Sequence, residues 1–131
     1  MFPLAGFWMF LNYLVVSLAL FAAMLSLYVR VTPYAEVRLM REGNAAAATG
    51  LAGAMIGLAL PLASAVLHTV SLVEMVSWAV AAMAMQAIAY HVADRVAPEL
   101  RQGIEAGKVA HGVFRAGLSV AVGLINAACI S

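Results

Sequence analysis

Four long stretches of the chain run almost without charge: residues 7–29, 45–68, 75–91 and 112–130. A bilayer-spanning helix needs about 20 predominantly apolar residues, so each stretch predicts a span. The third is the shortest and is expected to cross with little tilt. The fourth carries one charge, Arg115, near its start. Polar residues gather after the first and third stretches, and the two polar loops share a layout. Thr32-Pro33 opens the first and Gly43 closes it; Ala97-Pro98 opens the second and Gly107 closes it. Proline suits the first turn of a helix, where its missing N–H costs nothing, and glycine suits the C′ position, where φ is positive. Each loop is therefore expected to form a short helix. Arg38 with Glu42 and Arg101 with Glu105 fall at i,i+4 spacing on these helices, in the weaker sign order, worth tenths of a kcal/mol.

Charge adds direction. All seven basic residues lie in two places: Arg30, Arg38 and Arg41 after the first stretch, and Arg95, Arg101, Lys108 and Arg115 after the third. The positive-inside rule places both polar loops in the cytoplasm and both termini outside. Trp8 and Trp78 then suit an outer aromatic belt, and Tyr28, Tyr34 and Tyr90 an inner one. Arg115 is expected to snorkel to the inner surface.

Composition narrows the class. Of 131 residues, 66% are hydrophobic and 10% charged, with mean hydropathy +1.01 and net charge +1. A soluble domain carries about 25% charged residues, so this composition excludes a soluble enzyme, a disordered tail and a basic nucleic-acid binder. The single cysteine, Cys129, excludes an intrachain disulfide and a Cys-cluster metal site. The N-terminal run lacks a basic n-region and is too long for a signal h-region, so it is read as a span. The fold class is all-α: an integral membrane four-helix protein, one transmembrane domain over residues 1–131.

The matched loops point to an internal duplication. A shift of 64 positions aligns Ala46 with Ala110, Gly53 with Gly117, Leu60 with Leu124 and Ala63 with Ala127, and Pro33 and Pro98 lie one residue off that register. The reading is two helix-loop-helix repeats, about 1–68 and 69–131. An even number of spans in each makes the copies parallel, related by an axis along the membrane normal.

Few residues invite chemistry. Gly50, Gly53 and Gly57 in the second span and Gly117 in the fourth are expected to let helix backbones approach closely. Pro61 is expected to break or kink the second span and strip the Gly57 carbonyl of its usual donor. With Ser64 beyond it, and Asn126 near the repeat equivalent of Ser64, these residues form a candidate polar site in the outer half of the membrane. The competing reading is interhelical hydrogen bonding, which also covers Gln86, Asn12, Ser17 and Ser26. Thr49 is expected to bond a local carbonyl. His68 is an outer interfacial group that can sense pH. His91 and His111 are isolated, so no metal site is expected. No nucleophile–base arrangement, phosphate-cradling loop or span-centre charge is visible, which argues against an enzyme, a cofactor and a proton-coupled pump.

One resemblance covers nearly the whole chain. Asn44-Ala-Ala-Ala-Ala-Thr49, then Gly53, Gly57 and Leu60-Pro61-Leu62-Ala63-Ser64-Ala65, resemble one signature, and Asn126-Ala-Ala-Cys129 a second; Thr32-Pro33 followed by Glu36 is similar too. Together they resemble the DUF350 family, also called UPF0719 inner-membrane proteins. The resemblance implies helix pairs in one or two copies, the bacterial inner membrane, an association with phage-shock-type envelope-stress proteins, and no established activity.

Two functional readings follow. One is a homo-oligomeric pore or small-solute conduit, because a single four-helix bundle packs its own core and leaves no aqueous lumen. The other is a scaffold docking a soluble stress protein through Arg38, Arg41, Arg101 and Lys108. The same residues suit anionic membrane lipid, at about 1 kcal/mol per basic residue near the surface.

Overall fold

A computed structural model describes residues 4–31 and 36–130, and its regular structure is entirely helical. In chain order the helices are α1 (Leu4–Val31), α2 (Glu36–Arg41), α3 (Ala45–His68), α4 (Leu72–Val96), α5 (Glu99–Glu105) and α6 (Val109–Ile130). α1, α3, α4 and α6 are long and apolar enough to cross a membrane. The short helices α2 and α5 sit at the same end of the bundle, which we call the basic end. Thr32, Pro33 and Tyr34 lie outside the described residues.

The third span is not the shortest. α4 has 25 residues, against 24 in α3 and 22 in α6. Ser71 caps its start by accepting from the Glu74 N–H at 3.1 Å, and the helix continues past Asp94 and Arg95. Charge ends the apolar stretch there but not the backbone ladder, because an acid in the first turn and a base in the last both suit the helix dipole.

Both short helices end on the same device. The Asn44 N–H donates to Leu39 O at 2.9 Å and the Gly43 N–H to Met40 O at 3.0 Å; the Lys108 N–H donates to Gly103 O at 2.8 Å and the Gly107 N–H to Ile104 O at 3.0 Å. This is the Schellman pattern, and it needs positive φ at C′. Gly43 (φ 90) and Gly107 (φ 82) supply it, 64 positions apart. The Arg38–Glu42 and Arg101–Glu105 contacts form at 3.5 and 3.7 Å between exposed side chains. Solvent screening keeps such pairs to tenths of a kcal/mol. Asn44 also caps α3, its Oδ1 accepting from the Ala47 N–H at 3.0 Å, while its Nδ2 donates to Ile104 O at 2.8 Å and ties α5 to that end.

α3 is the central helix, more than half buried along its span. It runs parallel to α6 and meets it backbone to backbone. A Cβ added at Gly53 would strike the Ala116 backbone, one at Gly57 the Ser119 backbone, one at Gly112 the Ala46 backbone and one at Gly123 the Gly57 backbone. Gly117 does not join this seam: a Cβ there meets nothing within 4 Å. The seam row on α6 runs through Gly112, Ala116, Ser119 and Gly123, and Gly117 falls about 100° round the helix from Ala116.

Pro61 does not break α3, which is continuous from Ala45 to His68. The Gly57 carbonyl that Pro61 cannot serve lies against Gly123, where the missing side chain lets Cα–H approach the oxygen. On the other side of α3, Met24 and Tyr28 of α1, Leu58 and Leu62 of α3, and Ala79 and Tyr90 of α4 form the core. α1 runs parallel to α4, touching it from Ser17–Met75 to Tyr28–Tyr90.

Candidate functional site

The polar residues that the fold brings together lie toward the basic end. Arg115 stands about 9 Å along α6 from Val109. It is only 2% exposed. Its stem crosses Gly50, with Cγ 3.7 Å from where a Cβ would stand, so the absence of a side chain there opens the way inward. The guanidinium lies over the Tyr90 ring, Cζ 3.6 Å from its centroid, and Nη2 donates to Tyr28 Oη at 3.3 Å. The two tyrosine rings meet edge to face at 5.7 Å. A cation on a desolvated aromatic face is worth about 2 kcal/mol or more, which helps offset the loss of water around the guanidinium.

Two more polar groups complete the cluster. Gln86 of α4 reaches through the space left by Gly57 and donates from Nε2 to Ser119 O at 3.0 Å. Glu36, on α2, is 1% exposed at the same end of the bundle. Gln86 Oε1 and Tyr90 Oη are buried and find no protein partner among the described residues. Tyr28, Gln86, Tyr90, Arg115 and Ser119 line a cavity of about 10 Å³. That is room for one water, which two to four polar partners would hold. The far larger grooves on the helix faces, such as the one of about 850 Å³ between α1 and α3, are open and mostly apolar, with no converging charged groups.

Two expectations are corrected here. Arg115 does not snorkel, because the gap at Gly50 and the rings of Tyr28 and Tyr90 provide a closer partner than the surface does. Tyr28 and Tyr90, 4% and 5% exposed, are core residues and not belt residues. Trp8 and Trp78 are exposed.

The candidates Gly57, Pro61, Ser64 and Asn126 are not gathered into one site. Gly57 and Pro61 are buried on α3. Ser64 Oγ donates to Ala127 O at 2.6 Å across the same seam, with His68 Nδ1 3.3 Å away. Asn126 faces the other way and donates from Nδ2 to Ala82 O of α4 at 3.4 Å. Thr49 donates to Ala45 O at 2.7 Å, as expected, whereas Ser26 donates to Ala22 O of its own helix and not to a neighbouring one. Arg38, Arg41, Arg101 and Lys108 are exposed. His111 packs on Gly103.

Sequence reasoning missed Glu36, Tyr28, Tyr90, Gln86 and Ser119 as one constellation. A signal existed: Tyr28, Tyr90 and Arg115 all stand toward the same end of their spans, and Gly50 lies at the matching depth on the helix between them.

The model for the family described as Domain of Unknown Function (DUF350) matches residues 1–130. The chain belongs to the DUF350 family. Two relatives are the UPF0719 inner membrane protein YjfL of Escherichia coli strain K12 and its namesake in Escherichia coli O157:H7. Each is 29% identical over 122 residues, covering 93% of this chain and 92% of the relative. No solved structure matches. Three residues of the DUF350 resemblance now have physical places: Asn44 joins α5 to the start of α3, Gly57 makes room for Gln86, and Glu36 is buried at the start of α2.

Proposed function

We propose that this DUF350 chain is a bacterial inner-membrane protein of two parallel helix-loop-helix repeats whose copies assemble into a conduit for a small solute, serving the envelope-stress response. The duplication is supported by the long-short-long order of helices occurring twice, by the matched Schellman ends 64 positions apart, and by the parallel course of α1 with α4 and of α3 with α6.

The observation that carries the conduit is Arg115, buried within a membrane-length helix beside a water-sized cavity. An ionisable residue at such depth is a functional group by default, because burying it is expensive. The α3–α6 seam leaves no lumen within one chain, so the pathway lies between copies, and Arg115 acts on it from inside, by fixing α1, α4 and α6 around Tyr28 and Tyr90. Glu36 and Arg115 are both buried inside one chain, so this cluster offers no charge to a path between copies, which suits a neutral polar solute.

Flux into proteoliposomes tests this. Wild-type protein is expected to pass a small neutral solute faster than empty liposomes, and Arg115→Gln to change that rate while the fold survives. Wild-type flux equal to that of empty liposomes would overturn the conduit.

Orientation is tested separately. With the buried Arg115 set aside, six basic residues against none favour polar loops inside and both termini in the periplasm. A reporter active only in the cytoplasm, fused after Ser131, is expected to stay silent; a strong signal would reverse the topology.

The exposure of Arg38, Arg41, Arg101 and Lys108 favours a second reading, a scaffold that holds a phage-shock-type soluble protein at the membrane. Loss of capture on neutralising these four residues, with no flux in the wild type, would select it.

A further inference from the structure

The two halves of the chain meet through faces that are not equivalent. α3 presents Gly53, Gly57 and Ser64 to α6, but the 64-position equivalents of Gly53 and Gly57 on α6, Gly117 and Ala121, lie exposed beside the seam, along an open groove shared with Ala52 and Ile56 of α3. α6 instead presents Ala116, Gly123 and Ala127. A two-fold relation would also lay α1 on α6 as α4 lies on α3; α4 packs well on α3, and α1 has no comparable contact with α6. The internal contact is therefore head-to-tail. A head-to-tail contact leaves one face of each kind unused at its two ends, and such contacts close into rings or run on as filaments.

We propose that a second copy of this chain docks α3 onto the Gly117–Ala121 face of α6, repeating between chains the seam found within one. The inference rests on the duplication and self-association proposed above. Transferring the internal pairs by 64 positions brings Gly117 against Ala52, Ala121 against Ala59 and Ala128 against Ala63 of the next copy. All six are small and exposed, as close helix approach in a membrane requires. Lipid tails would gain little from such a face, whereas the fold already uses its counterpart as the tightest contact it has. Phe114 stands where Gly50 stands in the first repeat, so the contact opens at the basic end.

Cross-linking between two tagged chains tests the surface. In a Cys129→Ser background, one chain carries Ala63→Cys and the other Ala128→Cys, modelling the Ser64–Ala127 contact of 2.6 Å. Mild oxidation of membranes holding both is expected to give a species of twice the monomer mass bearing both tags, and none when either chain is present alone. Gly117→Leu is expected to keep the fold and lose this species. Native mass measurement on the same membranes separates the failures. Oligomers without the mixed cross-link, or Ala128→Cys chains linking to one another, would overturn this surface and leave self-association standing. A monomer mass would overturn both.

Discussion

Replacing Arg115 with alanine is expected to destabilise the protein by roughly 2–4 kcal/mol, read as a lowered melting temperature in detergent. The change removes a desolvated cation–π contact on Tyr90 worth about 2 kcal/mol, and the charged hydrogen bond to Tyr28 adds about 1.5–3 before the surroundings relax. It also opens a void where the stem crosses Gly50. Arg115→Lys is expected to recover only part of the loss, since an ammonium has no planar face to lie on the tyrosine ring. Wild-type melting for Arg115→Ala would mean that the guanidinium is not in the core.

Gly53→Leu and Gly57→Leu are expected to have the larger effect of all, loss of the folded chain in detergent. At Gly53 even one added carbon meets the Ala116 backbone, and at Gly57 it meets both the Ser119 backbone and Gln86. Overpacking costs about 1–3 kcal/mol where neighbours can shift, and more where the neighbour is backbone, as here. Gly57→Leu should also expel Gln86 from the buried cluster. Gly117→Leu is the matched control within the chain, because a side chain there meets open space. Melting curves of the three variants, set beside wild type, decide it. Unchanged melting for Gly53→Leu and Gly57→Leu would put both glycines on the lipid face.

Much of the fold is legible in the sequence because its boundaries are marked by local chemistry. Asn44 and Thr69 bracket α3, and Gly43 and Gly107 stop the short helices, each for reasons that a few neighbouring residues fix. α4 shows where that local reading fails. Hydropathy ends at the first charges, whereas the helix ends where its hydrogen bonds do. The site was harder. Ser64 and Asn126 share a depth, but depth says nothing of direction round a helix, and the two residues bond to different neighbours. Gly117 matches Gly53 in a 64-position register, yet Gly53 meets Ala116 and Gly117 meets open space. Position along the span alone points Arg115 to the surface, since distance to water is all that the sequence displays. Its real position depends on Tyr28, Gly50 and Tyr90, which come from three other helices and are brought to it only by tertiary packing.

The central claim is that an arginine is held inside the bundle at membrane depth. Treatment of reconstituted protein with an arginine-selective dicarbonyl reagent, followed by mass mapping, tests it most directly. Arg38, Arg41 and Arg101 are exposed and should be modified, while Arg115 should stay protected until the protein is denatured. Modification of Arg115 at the rate of Arg38 in the folded protein would contradict the account.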